Sequence, residues 1–267
     1  MADGFDQTEL DGALEKASVR MPCRFFDTID STNRAAKELG EKGETGPCAF
    51  IADRQTGGRG RRGRSWSSPP GTGIFLSILL SPPLSPSRVP PLTLVAALAV
   101  SDAVRDVTGI VPGIKWPNDL TAGGKKLCGI LTELSAERDR VRYAVVGLGI
   151  NVNNDSFPEE LKESAVSLKL LTGRAVKRSG LAAAVLKRFE ERYGTFVSAG
   201  GFSPLKADYE ALLVNRGRTV RVLDPVSPFR GTAVGITEDG ALLVETEEGL
   251  RSVGSGEVSV RGLYGYT

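Results

Sequence analysis

The chain has 267 residues, enough for a full core and for one or two domains. Its 40% hydrophobic and 25% charged content is that of an ordinary globular protein, and a net charge of +2 is too small to make nucleic acid or a membrane its main partner. There is no histidine, which excludes Ser-His-Asp and Cys-His catalysis, imidazole proton transfer and His-ligated metals together.

The first 20 residues are acidic and carry no signal-peptide pattern. No apolar run is expected to reach the ~18 residues of a membrane span, so the expectation is a cytoplasmic protein without a membrane partner. Leu10 and Leu14 suggest a short helix near this end. Arg24 to Ile29 alternates as a strand does. Asp30-Ser31-Thr32-Asn33 then precedes Ala35 to Leu39, which is N-cap chemistry opening a helix. The exposed amides of such a terminus also suit a polar ligand. Cys23, Cys48 and Cys128 lie far apart with no Cys-x-x-Cys pair, so reduced, buried thiols are expected rather than disulfides or a zinc site.

Cys48 to Ala52 reads as a buried strand and Gly73 to Leu80 as a second. They predict an interrupted hairpin whose tip is the run 57–66, Gly-Gly-Arg-Gly-Arg-Arg-Gly-Arg-Ser-Trp. Its glycines let backbone amides approach a ligand, and its four arginines carry charge that does not titrate and planar forks that match carboxylate and phosphate. The spacing Gly58-x-Gly60-x-x-Gly63 imitates the dinucleotide fingerprint, and Gly58 to Ser65 misses a P-loop by its lysine. Both motifs need a helix to follow, and Pro69-Pro70 forbids one. A single aromatic, Trp66, makes a poor stacking platform for nucleic acid. The run reads instead as a mobile clamp for a small anion.

Leu92 to Val107 is an apolar helix expected to lie on a sheet. Residues 114–120 (Ile-Lys-Trp-Pro-Asn-Asp-Leu) and 125–133 read as a strand, a Gly-Gly hairpin and a returning strand. Lys115 and Lys126 bracket that hairpin and are both aimed, on this reading, at one site. Val141 to Val152 is a further strand whose glycines imply close backbone approach. Helices follow: Leu181, Val185, Leu186, Phe189 and Tyr193 form a core stripe, and 202–214 is another helix. From Arg218 short alternating segments with Asp-Gly turns predict a small β-barrel. Two lysines, four arginines and no histidine suit nucleotide activation of a carboxylate. Attack on an α-phosphate brings two anions together, and fixed cations plus Mg²⁺ offset the repulsion.

Five segments occur in order: Asp30-Ser31-Thr32-Asn33; Gln55 ahead of Gly58 to Arg64; Lys115-Trp116-Pro117-Asn118-Asp119; Lys126-Leu127-Cys128-Gly129-Ile130-Leu131; and Gly147 to Asn153. Together they resemble the biotin protein ligases (biotin–[acetyl-CoA-carboxylase] ligases) over residues 23 to 263. Val253 to Ser259 is similar to the end of that family's C-terminal barrel. The resemblance implies an α/β (α+β) fold, with a mixed-sheet catalytic domain over 1–215 (its core from about residue 23) and an SH3-like barrel over 216–267. It implies activation of biotin by MgATP as biotinyl-5′-AMP and transfer to a lysine of a biotin carboxyl carrier domain.

Carried over residue by residue, it puts Ser31, Thr32, Asn33, Gln55, Arg59, Gly60, Arg61, Lys126 and Gly129 at biotin. Arg61, Arg64, Trp66, Lys115, Asn118 and Asn151 fall at ATP, and Lys126, Arg61 and Asp119 have catalytic roles, Asp119 toward the incoming lysine. No protein-borne metal site is implied; Mg²⁺ arrives on the ATP phosphates. Some members carry an N-terminal winged helix-turn-helix and repress transcription. Only about 22 residues precede the matched region here, so no DNA binding is expected. Monomer and homodimer both remain open. The rival activity is that of a lipoate or octanoate ligase or transferase of similar fold, and a second alternative is a non-catalytic biotin-binding module.

Overall fold

The computed structural model describes residues 5–224, 227–255 and 259–262. A mixed seven-stranded sheet organises the first part of the chain. After α1 (Gln7–Lys16) come β1 (Cys23–Ile29), α2 (Thr32–Glu41), β2 (Cys48–Gln55), β3 (Gly73–Leu80) and α3 (Leu92–Thr108). β4 (Gly113–Lys115), β5 (Asp119–Ala122), β6 (Lys125–Glu137) and β7 (Arg140–Asn151) complete the sheet, in the order β1-β2-β3-β7-β6-β5-β4. Only β1 and β2 are parallel, as the helical crossover through α2 requires; the remaining pairs are antiparallel.

Side chains alternate across the strands, so each strand feeds two cores. Ala49, Ile51, Ile78, Leu80, Ala144 and Val146 join the large core with α1 and α3. Phe50, Leu79, Tyr143 and Val145 face the other way and close over Ala36 of α2. β3 is buried along its whole length, which explains why its sequence is a continuous apolar run. α4 (Glu159–Lys162), α5 (Leu168–Thr172), α6 (Arg178–Ser198) and α7 (Lys206–Leu212) follow, and α6 packs beside α3. The helical stretch 86–108 is, contrary to expectation, long and apolar enough by length and composition to cross a membrane. Its apolar window is 78% buried in the protein, and core packing accounts for its hydrophobicity.

β8 (Thr219–Leu223), β9 (Phe229–Ile236), β10 (Leu242–Thr246), β11 (Gly249–Val253) and β12 (Ser259–Gly262) form a separate antiparallel sheet in the order β11-β10-β9-β8-β12. This is the small C-terminal β module expected from the turn-rich sequence. Gly256, Glu257 and Val258 of the motif that ends it lie outside the described residues.

One element departs from expectation. Residues 114–120 do not form a single strand: the chain reverses at Trp116-Pro117, a cis bond, so β4 and β5 pair as a hairpin of their own. Trp116 is thereby turned into the interior, where its backbone N–H donates to Asn215 Oδ1 at 2.8 Å and its indole Nε1 donates to the Gly240 carbonyl at 3.0 Å. The turn that carries Asn118 is thus tied to the C-terminal module.

Candidate active site

The site begins as missing side chains. On the α2 face of the sheet, register places Ser77, Gly147 and Leu131 in one row and Phe75, Gly149 and Gly129 in the next. Three glycines in adjacent positions of β6 and β7 leave a hollow where other residues would project. A Cβ at Gly147 would stand 2.0 Å from Asn33 Oδ1, and one at Gly149 would stand 2.4 Å from the Trp66 ring. These positions need glycine for close approach, not for an unusual φ.

α2 brings the polar wall. Ser31 occupies its N-cap position but makes no side-chain cap bond, so its hydroxyl is not used for capping. Ser31, Thr32 and Asn33 are nevertheless buried. Gln55 Oε1 accepts from the Thr32 N–H at 2.9 Å, and Gln55 Nε2 donates to Ser68 Oγ at 3.1 Å. Ser77, fully buried, lies 2.7 Å from Thr32 Oγ1 and donates to Asn33 Oδ1 at 2.6 Å. Buried polar groups of this kind are rigid when every member is paired.

The arginine loop closes the hollow from above. It is a tight hairpin in which Trp66 N–H donates to the Gly58 carbonyl at 2.9 Å and Gly60 N–H to the Arg64 carbonyl at 2.7 Å. A single 3-10 turn (Arg61–Gly63) makes its tip, with Arg62 and Gly63 both at positive φ. No α-helix follows the loop, which removes the dinucleotide and P-loop readings on structural grounds. Arg61 is held on both sides: Nη1 donates to Asn118 Oδ1 at 3.0 Å and Nη2 to the Ser255 carbonyl at 2.6 Å. Asn118 is itself oriented by the Ile130 backbone, donating to its carbonyl at 3.0 Å. Burial pushes the Arg61 guanidinium below its ordinary pKa, and Asp119 partly restores it.

Lys126 reaches under the loop. Its Nζ lies 2.7 Å from Asp119 Oδ1 and 5.3 Å from the centre of the Trp66 ring. The ring rests on Gly129 and Gly149, and its Nε1 is buried without a hydrogen-bond partner among the described residues. The cavity left beneath it is about 50 Å³, against the roughly 300 Å³ at which small-molecule pockets usually begin.

Ser31, Thr32, Asn33, Gln55, Arg59, Gly60, Arg61, Trp66, Asn118, Lys126 and Gly129 all line this one cavity. Arg64, Lys115, Asp119 and Asn151 do not. Arg64 is on the exposed outer side of the loop. Asp119 lies beside the cavity, ion-paired with Lys126. Asn151 Nδ2 points to the Lys126 carbonyl at a long 3.4 Å, beside the site. Lys115 is buried on β4 opposite Asp119 in register, and Asp119 is the ion-pair partner of Lys126. Leu76, Leu131, Gly147, Leu148 and Gly149 complete the lining. The glycines of β7 were visible in the sequence as a close-approach signal; Ser68 and Ser77, which brace the wall, were not singled out.

A biotin/lipoate A/B protein ligase family signature spans residues 25–151, and a biotin protein ligase C-terminal domain signature spans 217–261. The chain is 41% identical over 238 residues to the bifunctional ligase/repressor BirA of Bacillus spizizenii, covering 88% of this chain and 73% of that protein. It is 33% identical over 246 residues to the biotin–[acetyl-CoA-carboxylase] ligase of Mycobacterium tuberculosis, covering 88% of each. Its fold matches the Aquifex aeolicus biotin protein ligase solved in complex with biotin and ATP. That match has a TM-score of 0.79 and 36% identity, over 90% of this chain and 99% of that one.

Proposed function

The chain belongs to the biotin protein ligase family and is a biotin–[acetyl-CoA-carboxylase] ligase, and from that premise we propose how its pocket does the work. The observation that carries the proposal is convergence: segments 31–33, 55–66, 118–131 and 147–149, distant in sequence, meet around one cavity.

The neutral wall of Ser31, Thr32, Asn33 and Gln55 suits the ureido ring of biotin, whose N–H and C=O groups need convergent partners. Gly129 and Gly149 let the ring system and its chain lie against backbone. Lys126, Arg61 and Arg59 surround the carboxylate and the α-phosphate. In the first step a carboxylate oxygen attacks the α-phosphorus, the bond from that phosphorus to the α,β-bridging oxygen breaks, and pyrophosphate leaves with the electron pair. The cations stabilise charge that gathers on the phosphate oxygens. In the second step the acceptor lysine amine attacks the acyl carbon, AMP departs, and Asp119 beside Lys126 receives or orients the amine proton. Arg64, Trp66, Lys115, Asn118 and Asn151 are assigned to the nucleotide end, Lys115 and Asn151 acting from behind the cavity wall.

Magnesium is expected on the nucleotide phosphates. The donor set fits that arrangement: no carboxylate among the described residues lines the cavity, Asp119 is already paired with Lys126, and a magnesium ion keeps water and phosphate oxygens as ligands readily. The acceptor is a biotin carboxyl carrier domain, and the reaction belongs in the cytoplasm. Entry of biotin requires the Trp66 ring to leave its seat on Gly129 and Gly149, so the loop is a lid that refolds over the adenylate and keeps water out.

ATP–pyrophosphate exchange tests the assignment. Biotin should stimulate exchange, and labelled biotin should then pass to a carrier domain with MgATP. Stimulation by lipoate or octanoate alone would refute the substrate, and binding without labelling would favour a non-catalytic module.

A further inference from the structure

Glu133 does not line the cavity, yet it holds a residue that does. Asn33 Nδ2 donates to Glu133 Oε2 at 2.9 Å and faces the Leu131 carbonyl at a long 3.5 Å. On the other end of the amide, Ser77 donates to Oδ1 at 2.6 Å. Behind Glu133, Lys37 Nζ donates to Oε1 at 2.9 Å, which leaves Oε2 for Asn33. Burial pushes the Glu133 carboxyl up, but the hydrogen bonds from Lys37 and Asn33 outweigh it and hold it below the ordinary range, so it is charged at neutral pH. An ionised carboxylate only accepts. A flipped Asn33 amide would set its oxygen against that carboxylate.

We infer that Glu133, backed by Lys37, is a positioning residue that fixes which end of the Asn33 amide faces the pocket and so makes the pocket select ligands bearing an N–H donor. The inference rests on reading this cavity as the biotin site. With Nδ2 directed at Glu133 and Leu131, Asn33 offers the ligand only Oδ1, which keeps one lone pair beside the Ser77 bond. A cyclic urea supplies the N–H that Oδ1 needs. A dithiolane or plain alkanoate supplies none and leaves the second lone pair of a buried acceptor unmet, a mismatch that discriminates between similar acids.

The test is ATP–pyrophosphate exchange by the full chain and by Glu133→Ala and Glu133→Gln. Glu133→Ala should raise the KM for biotin about tenfold or more while kcat and the KM for ATP stay near wild type. Glu133→Gln should recover most of the loss, because its amide oxygen still accepts from Asn33. A purely structural role predicts the opposite split: a lowered Tm and a lower kcat from fewer active molecules, with the biotin KM unmoved. That result, or failure of Gln to improve on Ala, overturns the inference. Wild-type exchange that responds to lipoate and not to biotin overturns the underlying site reading instead, and is recognised before any variant is made.

Discussion

The glycine floor and the arginine loop enclose the same cavity and are built in opposite ways. The floor lies on β6 and β7, strands paired on both sides, and its polar wall is cross-braced by Ser77, Gln55 and Glu133. The loop is a hairpin of few backbone bonds, with Arg59, Arg62 and Arg64 exposed and Arg61 tied to Asn118 and Ser255. A rigid wall suits recognition, since its geometry is set before the ligand arrives. An exposed, cationic loop suits a step in which charge develops and water must be excluded. Floor variants should therefore act on KM for biotin, and loop variants on adenylate formation and retention.

The largest effect tests the seam between the two. Lys126→Ala removes the cation that β6 sends under the loop and, with it, an ion pair to Asp119. Single-turnover adenylation should slow by about 10²–10³-fold, as for loss of one fixed transition-state cation or donor. An unchanged rate would break the division of labour at its centre. Next comes Gly147→Ala, a floor change. The new methyl meets Asn33 Oδ1 at 2.0 Å and must displace the amide. The biotin KM should rise about tenfold or more, as when a buried polar group loses its partner, with little change for ATP. A fall in kcat at constant KM would place the floor in the chemistry rather than in recognition.

Arg61→Gly is the loop counterpart, with a smaller expected loss. It breaks the links to Asn118 and to the C-terminal module, so the adenylate should escape or hydrolyse about tenfold faster, with Tm altered little because the loop lies outside the core. Adenylate lifetime in single turnover reads this directly. A large drop in Tm with a normal lifetime would mean that Arg61 is a structural bolt between domains.

Much of this was legible in the sequence because the motifs are local. The run 31–33 opens a helix, the arginine loop interrupts a hairpin, and Gly147 and Gly149 announce close approach, with Gly129 added by the family resemblance. What was hidden depends on register between strands. Ser77 and Asn33 are 44 residues apart and Glu133 is 100 from Asn33, so no window of sequence contains their bonds. One clue was available: Ser77 is a lone hydroxyl in an otherwise apolar, fully buried strand, and such a group must find a partner. Lys115 and Lys126 were aimed at one site with 114–120 read as one strand; in the fold β4 and β5 are a hairpin, and Lys115 lies across from Asp119, the ion-pair partner of Lys126. The reversal at Trp116-Pro117 and the docking of Trp116 on Asn215 and Gly240 are tertiary facts, invisible in periodicity.

The smallest expected effect is a flat pH profile, and it follows from which groups titrate. Glu133 sits below its ordinary pKa, so what its charge contributes is present above the unfolded value and lost only as pH falls through the lower folded one. Lys37 is raised by its hydrogen bond to Glu133; its contribution is complete below the unfolded lysine value and lost as pH rises through the raised folded one. Burial pushes the Cys23 thiol up to about 12, and Cys48 and Cys128 are raised as well. With no histidine in the chain, the network that orients Asn33 therefore keeps one charge state from about pH 5 to 8. Across that window the biotin KM should vary by less than about twofold. The amine of the acceptor still gains nucleophilicity as pH rises, so transfer is expected to accelerate while biotin recognition does not. A KM for biotin that turns over near neutral pH would show that the wall is less rigid than the loop, and would reverse the contrast between them.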